Sequence, residues 1–402
     1  MVGTRNHPGD GKPQLHSATP ELLNSCTPER KWIHGLLGVL ALLSLAIQSS
    51  LAEIKIGAMT CLTGPLSTFG VSSVQGTKLA VEEINAAGGI LGHPIQLIVE
   101  DNGSKAGETA TITRKFISQD KVVAILGDLT SSATMEGAPL AQAAKIPLLT
   151  PSATNIAITK IGNYIFRSCF IDPFTGKMMA KFAMDRLKAK RAIVMTDVKQ
   201  DYSVGLSDAI RNYFAQNGVT ISDGISYSSG DTGFRTQLTE IRLAHPDVVF
   251  LPGYYTEAAL ILLQARQLGI MCPFVGGEGW DSPALVKVAG KAAEGSYYTD
   301  HFSAADPDPR VQKFVQAYRA KYAALPDALA ALWYDGAGLL SQAVQRAGST
   351  EAAKVRDALA ATRDFDGVTG RISIDENRNA SKPGVILKIE NGEPRMVQQI
   401  TP

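Results

Sequence analysis

VVAILG at 122–127 and VVFLPG at 248–253 begin 126 residues apart. Each is a short apolar run closed by glycine, as expected of a strand covered on both faces of a parallel sheet. Their surroundings recur at the same offset. Each is followed by a helical stretch and then by a strand opened with proline, Ile146-Pro147-Leu148-Leu149-Thr150 in one copy and Cys272-Pro273-Phe274-Val275-Gly276 in the other. The two prolines also stand 126 residues apart. Ahead of VVAILG come a strand at 53–59 (EIKIGAM), a helix over 74–86, a strand at 94–101 (PIQLIVED) and a helix over 107–119. Val74, Leu79, Val81 and Ile84 line one face of the first helix, and Gly88-Gly89 stop it. Ile112, Phe116 and Ile117 point inward from the second. Ahead of VVFLPG the same order returns: RAIVMTD (191–197), a helix over 203–217 ended by Gly218, a strand near 219–227 and a helix over 232–244. This alternation predicts an α/β fold of two Rossmann-like lobes, each with a parallel sheet.

Length and composition agree. A chain of 402 residues with 45% hydrophobic and 19% charged residues is globular and long enough for two domains. The formal net charge is +1, and residues 1–52 alone carry +1, so the remainder is neutral. No Lys/Arg-rich run gives an electrostatic footprint for nucleic acid. Arg30-Lys31 precede the apolar stretch Leu36–Ile47, broken only by Ser44, and Ser50-Leu51-Ala52 supplies small residues at a cleavage position. These features predict a secretory signal cut after Ala52. The apolar run of 12 residues is shorter than the ~20 that a membrane span needs. Cys26 leaves with this leader, and Cys61, Cys169 and Cys272 remain with no C-x-x-C and no metal-type spacing. They read as buried free thiols, although one disulfide is possible in an oxidising compartment.

In open parallel sheets, ligands bind beyond the carboxyl ends of the strands. Two facing lobes would bring six such loops to one cleft: 60–70, 128–134 and 150–154 from the first, 196–203, 253–258 and 276–280 from the second. Ser131 and Ser132 stand where a strand ends and a helix over 133–144 begins, an anion site by helix dipole and free N–H groups. Ser131 reads equally as a plain helix N-cap, and both readings can hold together. Thr154 occupies the analogous loop after the next strand. Glu278, in the turn GGEGW, suits a cation, against the alternative of a solvated loop acid. Tyr202 and Tyr254 each offer an aromatic body and a hydroxyl to a cleft, against the alternative of packing. Phe69 and Trp280 are candidates for an apolar side-chain pocket.

Catalytic readings find little support. There is no G-x-S-x-G, H-E-x-x-H or Walker A sequence, and Gly127-Asp-Leu-Thr-Ser-Ser lacks the glycine spacing of a dinucleotide loop. His93, His245 and His301 lie outside the expected site loops, and serine with glutamate alone makes no activated nucleophile. The set reads as a grip, with no catalytic residue, metal or cofactor expected.

In these loops the chain resembles the leucine/isoleucine/valine-binding proteins, the type I periplasmic solute-binding proteins of branched-chain amino-acid ABC transporters. The resemblance runs over essentially all of 53–402. It rests on the ordered set I-x-I-G-x-M-T-x-L-T-G-P, A-V-E-E-I-N-A-A-G-G-I-L-G, E-D-N, L-T-P-S-A-T, K-Q-D-Y-S-V-G and G-G-E-G. It implies a type I periplasmic-binding fold with a hinge of three crossovers. Lobe one would be 53–172 plus 303–382, and lobe two 173–302 plus 383–402. It implies that Ser131 and Thr154 hold a ligand carboxylate, that Ser152 turns a backbone carbonyl toward an ammonium, and that Glu278 is the ammonium's charged partner. Tyr202 and Tyr254 would be the aromatic residues of the closing lobe, and Phe69 with Leu129 would border the side-chain pocket. A disulfide that some members carry aligns with Ser104 and Thr130 and is absent here. Thr130 instead adds a hydroxyl beside the pocket, which argues against strictly branched aliphatic specificity.

The expectation is therefore a periplasmic, monomeric binder of an amino acid that serves the permease subunits of an ABC importer in the inner membrane. Its rivals are a soluble sensory partner with the same clamp and a binder of another small carboxylate. A receptor should carry a membrane span and signalling domain after the clamp, whereas this chain reaches Pro402 soon after GVILKIE (384–390). The leader yields the first prediction. N-terminal sequencing of the exported protein should begin at Glu53, and a retained leader would make residues 36–47 an anchor.

Overall fold

The computed structural model describes residues 52–401 apart from Gly218, so the expected leader lies outside the described residues but for Ala52. Strands β1 (Ile54–Thr60), β2 (Ile95–Asp101), β3 (Ala124–Leu126), β4 (Leu148–Thr150) and β5 (Ile165–Arg167) form one sheet in the order β2-β1-β3-β4-β5. All neighbours in it are parallel. Strands β6 (Arg191–Asp197), β7 (Thr220–Tyr227), β8 (Val248–Phe250), β9 (Phe274–Gly276) and β10 (Tyr297–Asp300) form a second, also parallel, in the order β7-β6-β8-β9-β10. The two orders are the same. The repeat legible in the sequence is thus a repeat of topology, and each sheet has its switch point between the first and third strand of its set.

Helices fill the crossovers. Those of the first set are α1 (Ser67–Ala86), α2 (Glu108–Lys115, widening into a π-turn over Phe116–Asp120), α3 (Ser131–Ala144) and the short α4 (Ala157–Lys160). Those of the second are α5 (Asp172–Asp185), α6 (Asp201–Gln216), α7 (Arg235–Ala244), α8 (Tyr255–Gln267) and α9 (Pro283–Ala289). The chain then returns to the first sheet's side with α10 (Pro309–Tyr322), α11 (Ala328–Ala347) and α12 (Ala352–Ala360), followed by a small antiparallel sheet of β11 (Phe365–Gly367), β12 (Gly370–Ile374) and β13 (Ala380–Ser381). Finally β14 (Gly384–Glu390) and β15 (Glu393–Ile400) add antiparallel strands beside β10. Among the described residues the chain crosses between the sheets three times, after β5, after β10 and between β13 and β14.

The return of α10 and α11 to the first sheet is fixed by contacts with α1. Tyr318 Oη donates to Gln75 Oε1 at 2.6 Å, Tyr322 Oη to the Gln75 carbonyl at 3.0 Å, and Tyr334 Oη to Glu83 at 2.5 Å. At Gly76 the backbones of α1 and α11 lie so close that a Cβ would collide with the Ala330 carbonyl. Only glycine lets the two helices meet there.

Several helices start earlier than their apolar periodicity suggests. Helix α1 begins at Ser67 rather than Val74, because its first turns, S-T-F-G-V-S-S, are small and polar yet partly buried. Phe69, Gly70, Ser72 and Ser73 pack inward, and a Cβ on Gly70 would strike the Cys61 backbone. Likewise α3 starts at Ser131 rather than Ala133, and α6 at Asp201 rather than Ser203. In each case the first turn meets the opposite lobe through polar groups, which a hydrophobic pattern does not register.

Candidate functional site

The strand-end loops do converge. A cavity between the lobes is lined by Phe69, Leu129, Ser131 and Ser152 from the first, by Tyr202, Tyr254, Glu278 and Gly279 from the second, and by Leu329 of α11. The free space is small, about 20 Å³, or room for about one water. The lobes are held together around it by direct hydrogen bonds. Tyr255 Oη donates to the Pro65 carbonyl at 2.7 Å, Asn155 Nδ2 to the Asp201 carbonyl at 2.7 Å, and the Asp201 N–H to Ser132 Oγ at 3.0 Å. On the far side, Thr68 and Ser282 hydroxyls meet at 3.1 Å, and the Ala328 N–H at the start of α11 donates to Asp281 at 2.7 Å.

On the first lobe, Thr130 has extended backbone geometry and its hydroxyl accepts from the Ala133 N–H at 3.3 Å. Thr130 is therefore the N-cap of α3. This corrects two expectations: Ser131 is not the cap, and Thr130 lends no hydroxyl to the cavity, because its side chain closes the helix. Ser131, first residue of the helix, is left facing the cavity, and its Oγ accepts from the Asn155 N–H at 3.3 Å. The loop 151–155 is shaped by Arg167, fully buried, which donates to the carbonyls of Ala153 (2.9 Å) and Asn155 (2.6 Å). Ser152 Oγ is engaged with the Leu129 carbonyl at 2.9 Å and the Trp333 indole at 3.2 Å. Asn102 of the E-D-N motif works at one remove. Its amide donates to Asp128 at 2.8 Å, beneath the loop that carries Leu129 and Ser131.

On the second lobe, the glycines around Glu278 are explained by crowding. A Cβ on Gly277 would meet the Tyr202 hydroxyl, and one on Gly279 the Gly253 carbonyl and the Tyr254 ring. Tyr202 and Tyr254 stack with centroids 5.4 Å apart, and Phe69 approaches Tyr254 edge-on at 6.2 Å across the cleft. Trp280 departs from expectation. It is 1% exposed, packs on Gly276 and donates from Nε1 to the Leu251 carbonyl at 3.2 Å, so it belongs to the second lobe's core and not to the cavity wall.

Glu278 is buried, and neither of its carboxyl oxygens has a hydrogen-bond partner. Burial, followed by the negative charge of Asp172, pushes its carboxyl up to about 8. Thr154 does not line the cavity. Its hydroxyl is also without a partner and lies beside the carboxyls of Glu278 and Asp172. The result is a narrow space with a helix start at one end, an unsatisfied acid at the other, and Phe69, Leu129, Leu329 and two tyrosines between. The lining thus pairs polar groups at two ends with an apolar wall between them, around a space that holds no more than a water as it stands. Sequence reasoning missed Leu329 of the cavity wall and the buried Asp172, whose charge acts on Glu278. Both lie outside the strand-end loops, Asp172 at a crossover and Leu329 in a helix that only the return of the chain brings here.

A model for the periplasmic binding protein family matches residues 53–394, and the chain belongs to that family. Its relatives include the leucine-, isoleucine-, valine-, threonine- and alanine-binding protein of Pseudomonas aeruginosa, 28% identical over 85% of this chain and 91% of that protein. The crystal structure of a leucine-binding protein, LivK, from Thermotoga maritima superposes with a TM-score of 0.84 at 39% identity, covering 87% of this chain and 99% of that one. LivJ from Streptococcus pneumoniae, the substrate-binding protein of a branched-chain amino-acid transporter solved in complex with isoleucine, gives 0.83 at 36% identity, covering 87% and 100%.

Behind the cavity, Cys61 and Cys169 are buried free thiols that burial pushes up to about 12. Cys272 is only partly buried. In the folded protein at about pH 8, iodoacetamide should therefore modify Cys272 first, and Cys61 and Cys169 only after unfolding in urea. Peptide mass spectrometry reads the order, and early modification of Cys61 would mean that the cleft is open to solvent.

Proposed function

We propose that this protein is the solute receptor of an ABC importer and captures an α-amino acid with an apolar side chain between its two lobes. The observation that carries the reading is Glu278, a buried carboxyl with no partner, facing the start of α3 across an apolar wall. A zwitterion taken out of water loses hydration at both ends, and each end needs a partner. Ser131 and the first turn of α3 suit the carboxylate, whereas Thr154, expected to share that task, has its hydroxyl beside the carboxyls of Glu278 and Asp172. Glu278 and the Ser152 carbonyl suit the ammonium. Tyr202, Tyr254, Phe69, Leu129 and Leu329 would enclose the side chain. The names of the relatives, which bind leucine, isoleucine, valine, threonine or alanine, support the same ligand class.

In this reading the bodies that move are 53–172 with 303–382 and 173–302 with 383–402, hinged where the chain crosses between sheets. The closed form is what the permease subunits recognise, the protein works as a monomer in the periplasm, and it catalyses nothing. Closure depends on the ligand because its two charged ends are held from opposite lobes.

A thermal-shift screen of the twenty amino acids identifies the ligand, since one present at 100 times its Kd stabilises the fold by ~2.7 kcal/mol. Calorimetry with that amino acid then tests the site. Glu278→Gln should cost on the order of 2–5 kcal/mol, the range for breaking a buried charge pair, or a loss of roughly 30-fold or more. Ser131→Ala should cost less, because the helix start still faces the carboxylate. Parent-like binding by a folded Glu278→Gln variant would shift the assignment to an uncharged or purely acidic ligand. Small-angle scattering should show a smaller radius of gyration on saturation. An unchanged radius would place the whole site on one lobe.

A further inference from the structure

Tyr254 and Tyr255 follow one another at the start of α8, and their rings turn to different tasks. Tyr254 lines the cavity and stacks on Tyr202. Tyr255 is not among the lining residues, yet it is buried, 5% exposed, against the first lobe. Its ring meets Phe69 edge-on, with centroids 4.7 Å apart and planes at 75°. Its hydroxyl donates to the Pro65 carbonyl at 2.7 Å and has Thr68 as its other hydrogen-bonding neighbour. Pro65, Thr68 and Phe69 all belong to the loop and first turn that lead from β1 into α1. The Ser282 hydroxyl, also from the second lobe, reaches the same turn at Thr68, 3.1 Å away.

This tie differs from the others across the cleft. Asp281, which accepts from the Ala328 N–H, also accepts from Tyr298 of its own lobe at 3.1 Å. Asn155, which donates to the Asp201 carbonyl, also accepts from Ala157 of its own loop at 2.9 Å. Both keep a partner when the lobes part. Among the described residues, the hydrogen bonds of the Tyr255 hydroxyl run to the first lobe alone. Parting the lobes removes that bond and the ring contact together. Phe69 links this tie to the site, because it lines the cavity while Tyr254 and Tyr255 both meet it edge-on from the second lobe.

We infer that Tyr255 is the latch of the clamp, a positioning residue that holds the turn carrying Phe69 against the second lobe and so sets how long a bound amino acid stays, without touching it. The inference rests on the amino-acid reading above and adds to it a residue outside the cavity that governs release. An amino acid enclosed between the lobes leaves only after they part, whereas capture begins with the lobes apart. Contacts present in the closed form alone therefore act on the off-rate and leave the on-rate nearly untouched. On opening, water replaces the partners of the hydroxyl and of the Pro65 carbonyl, so the bond contributes modestly, and the ring contact adds to it.

The test is stopped-flow kinetics of the purified protein with the amino acid that ranks first in the screen of twenty. Tyr255→Phe keeps the ring and removes only the hydrogen bond. Its off-rate should rise about two- to tenfold, Kd should rise by the same factor, and the on-rate should stay within about twofold of the parent's. Tyr255→Leu also gives up the edge-on contact and should release several-fold faster than Tyr255→Phe. A tyrosine that served only the fold of the second lobe would lower the melting temperature of the unliganded protein and leave the off-rate of folded material unchanged. Parent-like off-rates in both variants overturn the inference while the amino-acid reading stands, and so does a loss confined to the on-rate. If no amino acid binds the parent, the functional reading itself falls, and this inference with it. Should Tyr255→Leu not fold, Tyr255→Phe decides alone, since it adds no atom and leaves the ring on Phe69.

Discussion

The structure is organised around a carboxyl group that the protein buries and leaves alone. Stripping a charged acid of water is expensive unless a partner replaces the water. Glu278 is held there by close packing of its turn, where Gly276, Gly277 and Gly279 lie against Trp280, Tyr202 and Tyr254. In the closed arrangement the penalty is offset by what closure gains elsewhere, namely the hydrogen bonds of Tyr255, Asn155, Asp201 and Asp281 across the cleft and the edge-on meeting of Phe69 with Tyr254. Under the proposed function, an ammonium entering the cavity would offset that term, as a proton does in its absence.

The crossovers carry their own buried charges. Lys382 stands fully buried ahead of β14, its Nζ hydrogen-bonded to Thr369, and burial pulls it down to about 8 against the opposing charge of Asp335. Asp335 in turn accepts from the N–H groups of Val368 and Thr369 at 2.8 Å. His301, at the second crossover, lies against the Phe170 ring of the first with centroids 3.5 Å apart, and burial holds it neutral. Polar and ionic groups inside such a narrow waist fix which strands pass beside one another. Apolar groups alone would fill the same volume with less directional preference.

Much of this was legible in the sequence, and the reason is positional. A repeat of 126 residues in strand, helix and proline fixed the two-lobed topology, because strands buried on both faces leave unmistakable apolar runs. The rule that ligands sit beyond strand ends pointed to Ser131, Tyr202, Tyr254 and Glu278, and the family resemblance added Ser152; all five line the cavity. What failed was direction and reach. Trp280 lies two residues from Glu278 yet turns into the core, and Thr130 adjoins Ser131 yet caps the helix. Neighbours in a turn point to different sides, and composition does not say which. Leu329 was beyond local reasoning altogether, since it arrives on a helix whose place depends on the chain having crossed back. Asp172 lies at a crossover, outside the strand-end loops, and its burial follows from the way the chain passes between the sheets.

Leu329 also separates two tasks that a compact site would otherwise merge. The charged ends of the cavity are built by loops that begin at strand ends, each locked by glycines or by Arg167. The position of Leu329, by contrast, is set by the Asp327 cap of α11 and the packing of that helix on α1, and the same helix reaches the polar loop through Trp333 on Ser152 and Gly336 on Pro151. Under the proposed function, residue 329 could vary in bulk while Ser131 and Glu278 keep their places. One wall of the cavity is thus carried by a helix that enters late in the chain, apart from the strand-end loops that carry its polar groups.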